Sequence, residues 1–374
     1  MICSIPEFEL IQALIRVISG VKLNGTRLYV AKFPVGVNSH AKEIESLLDL
    51  KSNDVRIVAI HGLGGIGKTT IAKAVYNRIV DCFERSCFLE NVRENSRTSD
   101  GTIQLQEKIL SKILQAKHVK VDNVSRGINV IKERLCNKRV LLILDDVDNS
   151  KQIEDLLGEC DWFLSRSRVI ITTRDEHVLT TLPQGCTTYK VKELGAHETL
   201  ELFSQHAFHK SKPPQDYSDL AYQVMDYTKG LPLALTIIGS DLYGRTKDAW
   251  KAAINKYEKI PRADILEILK VSYDGLEESE KDIFLDISCF FRGWFKDYVV
   301  NILDACELFP DHGIPRLVDK CLINEELNGT LSMHDLLQQM GREIVRRDSP
   351  IILRERSRLW DHKDALDVLV RSKV

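Results

Sequence analysis

The stretch EFELIQALIRVI carries apolar residues at helical spacing and predicts a short amphipathic helix over residues 7–18. A looser stretch follows to about Val35-Gly36, and the pattern then alternates. Apolar runs of strand length (Arg56–Ile60, Cys87–Val92, Arg139–Leu144, Arg168–Thr173 and Thr188–Val191) are separated by helical stretches at Thr69–Val80, 103–115 and 126–136. Short apolar strands divided by helices predict a parallel sheet covered on both faces. Past about residue 194 the strands stop. Segments 196–208, 216–228, 231–243 and 247–257 read as one helical group, with Gly230 and Pro232 marking a junction. A second group, 263–274, 278–291, 296–305 and 313–321, leads into Leu322–Met333. There Asn328-Gly329 lies between apolar-containing arms, a strong hairpin signal. Helices followed by a hairpin, with a further helix over 335–346, suggest a winged helix.

The turn between the first strand and its helix is Gly62-Leu63-Gly64-Gly65-Ile66-Gly67-Lys68-Thr69, a full match to G-x-x-x-x-G-K-[ST] in the required context. Glycines let the backbone turn tightly so that successive N–H groups point at phosphates, and the helix N-terminus adds partial positive charge. Phosphate contacts are expected at Gly62, Gly64, Gly65, Ile66, Gly67, Lys68, Thr69 and Thr70, with Lys68 on the terminal phosphates and the Thr69 hydroxyl on magnesium. The third strand ends in Asp145-Asp146. Asp145 suits magnesium, reached through water, whereas Asp146 could polarise an attacking water as general base or serve as a helix cap or loop carboxylate. Arg174, at the end of the fourth strand, faces the crevice where ligands of open α/β sheets bind and could pair with a γ-phosphate; the alternative is a surface pair with Asp175.

Composition narrows the class. With 374 residues and 44% hydrophobic content the chain can build two or three cores. Charged residues at 28% and a net charge of −2 describe an ordinary soluble surface and argue against a nucleic-acid partner. Nine cysteines, an odd number without a C-x-x-C pair, read as reduced thiols in the cytoplasm or nucleus. Runs such as Val140–Leu144 are too short to span a bilayer, and Glu7, Glu9 and Arg16 interrupt anything like a signal peptide.

The ordered motifs GLGGIGKTT (62–70), FLENVRE (88–94), KRVLLILDDVD (138–148), SRVIITTRD (167–175), GLPLAL (230–235), FLDISCFF (284–291) and MHDLL (333–337) resemble the NB-ARC module of plant disease-resistance proteins. PVGVNSH (34–40) and RSRLW (356–360) resemble its flanking signatures, and FLENVRE with Asp148 resembles the subclass that carries an N-terminal TIR domain. The resemblance implies an α/β P-loop NTPase domain followed by a helical and a winged-helix domain: linker 1–33, nucleotide-binding domain 34–192, helical domain 193–260 and winged-helix domain 261–374. It implies an ADP/ATP switch in plant immune signalling, with Mg²⁺, slow hydrolysis at most, and self-association or association with related resistance proteins. It places Val35-Gly36 beside the base, Pro232 near the adenine and His334 at the β-phosphate of ADP. Residue by residue, Pro232 could instead merely start a helix and His334 be a satisfied core histidine.

The chain departs from the family at His40, where arginine is usual, and at Leu164-Ser165-Arg166, where a Gly-x-Gly turn is usual. No TIR domain is expected before the linker, nor its NAD-cleaving activity, and no leucine-rich repeat before Val374. Two other readings compete: an ATPase or kinase whose output is chemistry, and a DNA-binding regulator using Arg342, Arg346, Arg347, Arg354, Arg356 and Arg358. Guanine-reading and ABC-type signatures are missing from the sequence.

Overall fold

In a computed structural model, residues 27–115, 119–158, 162–182 and 186–371 are described; the helix expected over 7–18 lies outside them. The chain divides into two units. The first takes the chain up to His61, then Lys68–Thr173 and Val178–Lys190. Its strands β1 (Arg56–His61), β2 (Arg85–Leu89), β3 (Val140–Val147), β4 (Arg168–Thr173) and β5 (Cys186–Lys190) are all parallel, in the order β2-β3-β4-β1-β5. Its helices are α1 (Val37–Leu48), α2 (Lys68–Ile79), the single turn α3 (Val92–Asn95), α4 (Ser99–Leu114), α5 (Val124–Leu135) and α6 (Ser150–Leu157).

Sequence chemistry explains these elements. The run Val140–Leu144 is buried throughout, as a strand covered on both faces must be, whereas edge strand β5 is largely exposed. Thr98, Asn123 and Asn149 cap α4, α5 and α6, each side chain accepting a first-turn N–H. Helix α1 shows its apolar stripe at Val37, Ala41, Ile44 and Leu48, the last three fully buried. Burying Ile44 or Leu48 contributes about 1.5–3 kcal/mol each.

Arg168, at the base of β4, is 0% exposed. Its guanidinium donates to five carbonyls, those of Leu48 (2.5 Å), Asp49 (2.6 Å), Asp54 (2.7 Å), Ser167 (2.9 Å) and Ser52 (3.0 Å). One side chain thereby ties the end of α1 and its following loop to the sheet. In the departing Leu164-Ser165-Arg166 turn, Arg166 takes φ 70°, the left-handed conformation that glycine adopts without cost. Its N–H donates to the Asp54 carbonyl and its side chain to Asn53 Oδ1, which hold the turn despite the substitution.

The second unit comprises Gly62–Gly67, Arg174–His177 and Val191–Val374. It contains α7 (Ala196–Phe208), α8 (Ser218–Thr228), α9 (Pro232–Leu242) and α10 (Lys247–Lys259), whose interior centres on Trp250, with Phe203, Phe208 and Tyr217 packed against its ring. There follow α11 (Ala263–Asp274), α12 (Glu278–Asp286), α13 (Lys296–Ala305), α14 (Pro310–Asp319), the antiparallel pair β6 (Asn324–Glu325) and β7 (Leu331–Ser332), α15 (Asp335–Asp348) and α16 (His362–Arg371). The hairpin turns at Gly329, φ 80°, as the Asn-Gly pair predicts. The helix expected over 278–291 ends at Asp286, and Ile287–Phe291 continues as a π-helical turn. Gly341 of α15 lies so close to Ser288 that a β-carbon there would collide with its hydroxyl.

Other boundaries move for local reasons. The second strand stops at Leu89 because Val92 already belongs to a helical turn, and the third runs on through both aspartates. Helices α1, α3, α6 and α16 were not anticipated, although the apolar spacing in α1 is visible in the sequence. No described helix is long and apolar enough to cross a membrane.

Candidate functional site

Helix α2 begins at Lys68, directly after the glycine segment in the chain, and Lys68 is buried. One residue on, the Thr69 hydroxyl donates to Asp145 Oδ1 at 2.8 Å and lies 3.1 Å from Oδ2. Asp145 is 1% exposed and accepts a second hydroxyl, Thr172 Oγ1, at 2.6 Å. Burial pushes its carboxyl above the usual range, against the two hydroxyls and the Lys68 ammonium, which favour the ionised form.

Asp146 does not continue the strand pleat. It has φ 58°, at a register shift between Leu144 and Val147. Its N–H donates to Thr172 Oγ1 at 2.8 Å, and its carboxylate pairs with Arg93 Nη2 at 2.9 Å. The Thr172 hydroxyl therefore fixes both acids, donating to one side chain and accepting from the other's backbone. Sequence reasoning missed Thr172 and Arg93; the only signals were a threonine at the end of β4 and an arginine inside FLENVRE.

Val35 and Gly36, expected beside a base, lie in the same unit. Gly36 has φ 72° and precedes α1, and its carbonyl accepts from Ser39 Oγ at 2.7 Å. Val35 is half-buried. The linker before them is anchored by Asn77, whose amide exchanges two 2.7 Å hydrogen bonds with the Leu28 backbone. His40 places Nδ1 2.7 Å from the Tyr189 hydroxyl, which itself donates to Glu43.

In the second unit the glycine segment has φ 148° at Gly62, 80° at Gly65 and 100° at Gly67, conformations that suit only glycine. Ile66 is buried and its N–H donates to the Leu63 carbonyl. Thr70, in the first turn of α2, is half-buried. The Gly65 carbonyl accepts the Leu233 N–H at 3.2 Å, and a β-carbon on Gly65 would stand 2.7 Å from Leu233. Pro232 opens α9 at its first turn, where its missing N–H costs nothing. Arg174 Nη1 donates to the Ile268 carbonyl of α11 at 2.8 Å and leaves no room for a β-carbon on Gly64. Asp175, the alternative partner expected for Arg174, accepts from Arg316 and Lys320.

His334 caps α15. Its Nδ1 accepts the Leu336 N–H at 3.1 Å, which places the neutral ring's proton on Nε2. That Nε2 is buried and makes no hydrogen bond of good geometry, the Lys229 backbone being its nearest stabilising contact. A buried donor without a well-placed acceptor is what a phosphate oxygen would satisfy, so the residue fits a nucleotide. Burial holds the His334 pKa below the usual value, outweighing Glu193, Asp335 and the Lys229 backbone, which favour the charged ring. The folded state thus binds the proton less well than the unfolded state. Stability should be flat above the unfolded value of 6.5 and fall as pH drops below it. His334→Asn keeps a capping oxygen and removes this titration. Urea unfolding at pH 7.5 and 5.5 (roughly one unit either side of that value) should show wild type losing more stability than the variant. Equal losses would remove the claim.

The metal side also fits, within limits. Among the described residues no cluster of three or more His, Cys, Asp or Glu could hold a metal. Thr69 and Asp145 offer only a hydroxyl and one carboxylate, the donor set for a magnesium ion that takes its remaining oxygens from phosphate and water. Four of the six arginines that suggested DNA are engaged: Arg346 and Arg347 with Glu343, Arg356 with Asp364, and Arg358 with Asp282 and Asp286.

Comparison with known proteins bears on the domains the chain contains. Residues 38–213 match the NB-ARC domain, and residues 277–349 match the winged-helix domain of Roq1-like disease resistance proteins. "Disease resistance protein RUN1" of Vitis rotundifolia is 45% identical over 344 residues, 92% of this chain and 26% of that protein. "TMV resistance protein N" of Nicotiana glutinosa is 41% identical over 344 residues, 90% of this chain and 29% of that protein. The chain therefore spans well under half the length of these relatives. A Walker-type ATPase of Pyrococcus abyssi superposes with a TM-score of 0.57 over 81% of this chain and 95% of its own, at 14% identity, a likeness of fold alone. By these matches the chain carries an NB-ARC domain over residues 38–213 and, behind it, a winged-helix domain of the Roq1-like disease-resistance type over residues 277–349.

Proposed function

We propose that the chain is an ADP/ATP-operated switch of plant immune signalling. The observation that carries this reading is the Thr69–Asp145 pair at the head of a glycine-led helix, a hydroxyl and a buried carboxylate placed for a magnesium nucleotide. Gly62–Thr70 holds the phosphates, Thr69 and Asp145 hold Mg²⁺, and the ion when bound neutralises phosphate charge. Val35, Gly36 and Pro232 receive the base. In the ADP state His334 donates Nε2–H to the β-phosphate, which closes the winged helix on the nucleotide. In the ATP state Arg174 leaves the Ile268 carbonyl for the γ-phosphate, and surfaces for self-association open.

The magnitudes allow one phosphate to work such a switch. Moving an equilibrium from 1:99 to 99:1 takes about 5.5 kcal/mol of differential binding. Two or three charge-assisted contacts at about 1.5–3 kcal/mol each are of that order. The Arg93 pair favours a switch over a productive ATPase, because a guanidinium on Oδ2 makes Asp146 a weaker general base toward water. Slow turnover follows.

The test is direct. The purified chain is denatured and any released nucleotide identified by chromatography and mass spectrometry. Near-stoichiometric ADP is expected. A chain that releases no nucleotide and rebinds neither ADP nor ATP would overturn the proposal.

A further inference from the structure

Strand β4 ends at Thr173, yet the next four residues, Arg174–His177, group with the second unit. Asp175 supplies the physical reason. Its side chain is 5% exposed and accepts a two-pronged pair from Arg316, Nη1 to Oδ1 at 2.9 Å and Nη2 to Oδ2 at 2.8 Å. Lys320 Nζ donates to Oδ2 at 3.1 Å. Burial alone would raise the Asp175 pKa; Arg316 and Lys320 more than offset it and hold the carboxyl below its ordinary range. Around this centre, His177 Nδ1 lies 3.7 Å from Asp319 Oδ2, and Arg316 reaches the same oxygen at 3.9 Å. One residue before Asp175, Arg174 is held on the Ile268 carbonyl.

Adjacent residues share a peptide plane, so the planar fork on Asp175, the most orientation-dependent of side-chain ion pairs, fixes the backbone from which the Arg174 side chain extends. Helix α14, which carries Arg316, and α11, which carries Ile268, therefore grip consecutive residues of one short segment.

We propose that Asp175 is a positioning residue for Arg174: its lock to Arg316 and Lys320 keeps the Arg174 guanidinium on the Ile268 carbonyl and so favours ADP over ATP. This rests on the nucleotide-switch reading above. Any shift of the Arg174 backbone toward a γ-phosphate requires the lock to loosen or α14 to move with the segment. Nucleotide identity is thereby transmitted through Arg174–Asp175 to α14.

The experiment measures ADP and ATP affinity, and release of a fluorescent ADP analogue, for the full chain carrying Asp175→Asn, Arg316→Gln or both. Each single variant should raise the ATP-to-ADP affinity ratio and speed ADP release by about tenfold, the scale of one charge-assisted contact. The double variant should match Asp175→Asn, which already releases both Arg316 and Lys320. A merely structural role for the pair would weaken both nucleotides alike and leave the ratio unchanged. An unchanged ratio and release rate in Asp175→Asn, with normal nucleotide binding by wild type, would overturn the lock alone. A wild-type chain that binds neither nucleotide overturns the lock together with the switch. If Asp175→Asn fails to fold, Arg316→Lys keeps the charge and loses the planar fork. The same shift in ratio, smaller, then supports the lock, and no shift overturns it.

Discussion

Lys68→Ala is expected to weaken both ADP and ATP binding by at least about a hundredfold while the chain stays folded. Lys68 is the first residue of α2 and is buried, so its ammonium sits where the helix N-terminus already favours negative charge. It also favours the ionised form of Asp145, so its removal weakens the metal side of the site as well. Alanine is the best helix former and imposes no strain in the first turn of α2. Lys68→Met, which keeps the buried aliphatic stem, separates loss of charge from loss of packing. Calorimetric titration gives the affinities. As a second readout, a ligand at one hundred times its Kd stabilises the folded state by about 2.7 kcal/mol, so the nucleotide-dependent rise in unfolding temperature should vanish in both variants. Retained ADP affinity in Lys68→Ala would overturn the assignment of the phosphate site.

How far the site could be read from the chain alone depended on how local each contact is. The glycine segment, Lys68 and Thr69 are contiguous, and their chemistry is legible because a tight turn before a helix demands those residue types. Asp145 was legible because an apolar strand ending in an acid is itself a local pattern. Thr172 was not, since its bond to Asp145 depends on the register of β3 against β4, which no short window encodes. The same holds for Arg93, which meets Asp146 only because a register shift turns that residue into the left-handed conformation. Asp175 reads as an ordinary loop acid until the chain brings Arg316, 141 positions later, against it. The fold itself was largely visible in its apolar periodicity, and the unanticipated α1 shows a stripe that could have been read. The π-helical turn at Ile287–Phe291 could not, because its sequence fits an uninterrupted helix and the deviation accompanies the close approach of Gly341.

Arg168→Leu is expected to destabilise the first unit by about 3–5 kcal/mol, among the largest effects of any single change in that unit. The guanidinium has no carboxylate in close contact; Asp54 Oδ1 stands 3.9 Å away and its side chain is half exposed. Its charge is instead spread over five carbonyl oxygens, each of which loses a donor in the leucine variant. Some of those oxygens lie near the surface and would regain water, which is why the cost stays below the sum of five unsatisfied groups. Arg168→Lys keeps the charge but has a single nitrogen with three donors, so it cannot reach carbonyls spread from Leu48 to Ser167 and should recover less than half of the loss. Urea unfolding followed by a probe confined to the sheet measures both values. The consequence reaches the far end of the same strand: Arg168 fixes the start of β4, and Thr172, four residues on, orients Asp145 and Asp146. In Arg168→Lys, a fold that survives should therefore show weakened magnesium-dependent nucleotide binding. A lysine variant as stable as wild type would mean that the carbonyl cage contributes little and that burial of the aliphatic stem holds the strand.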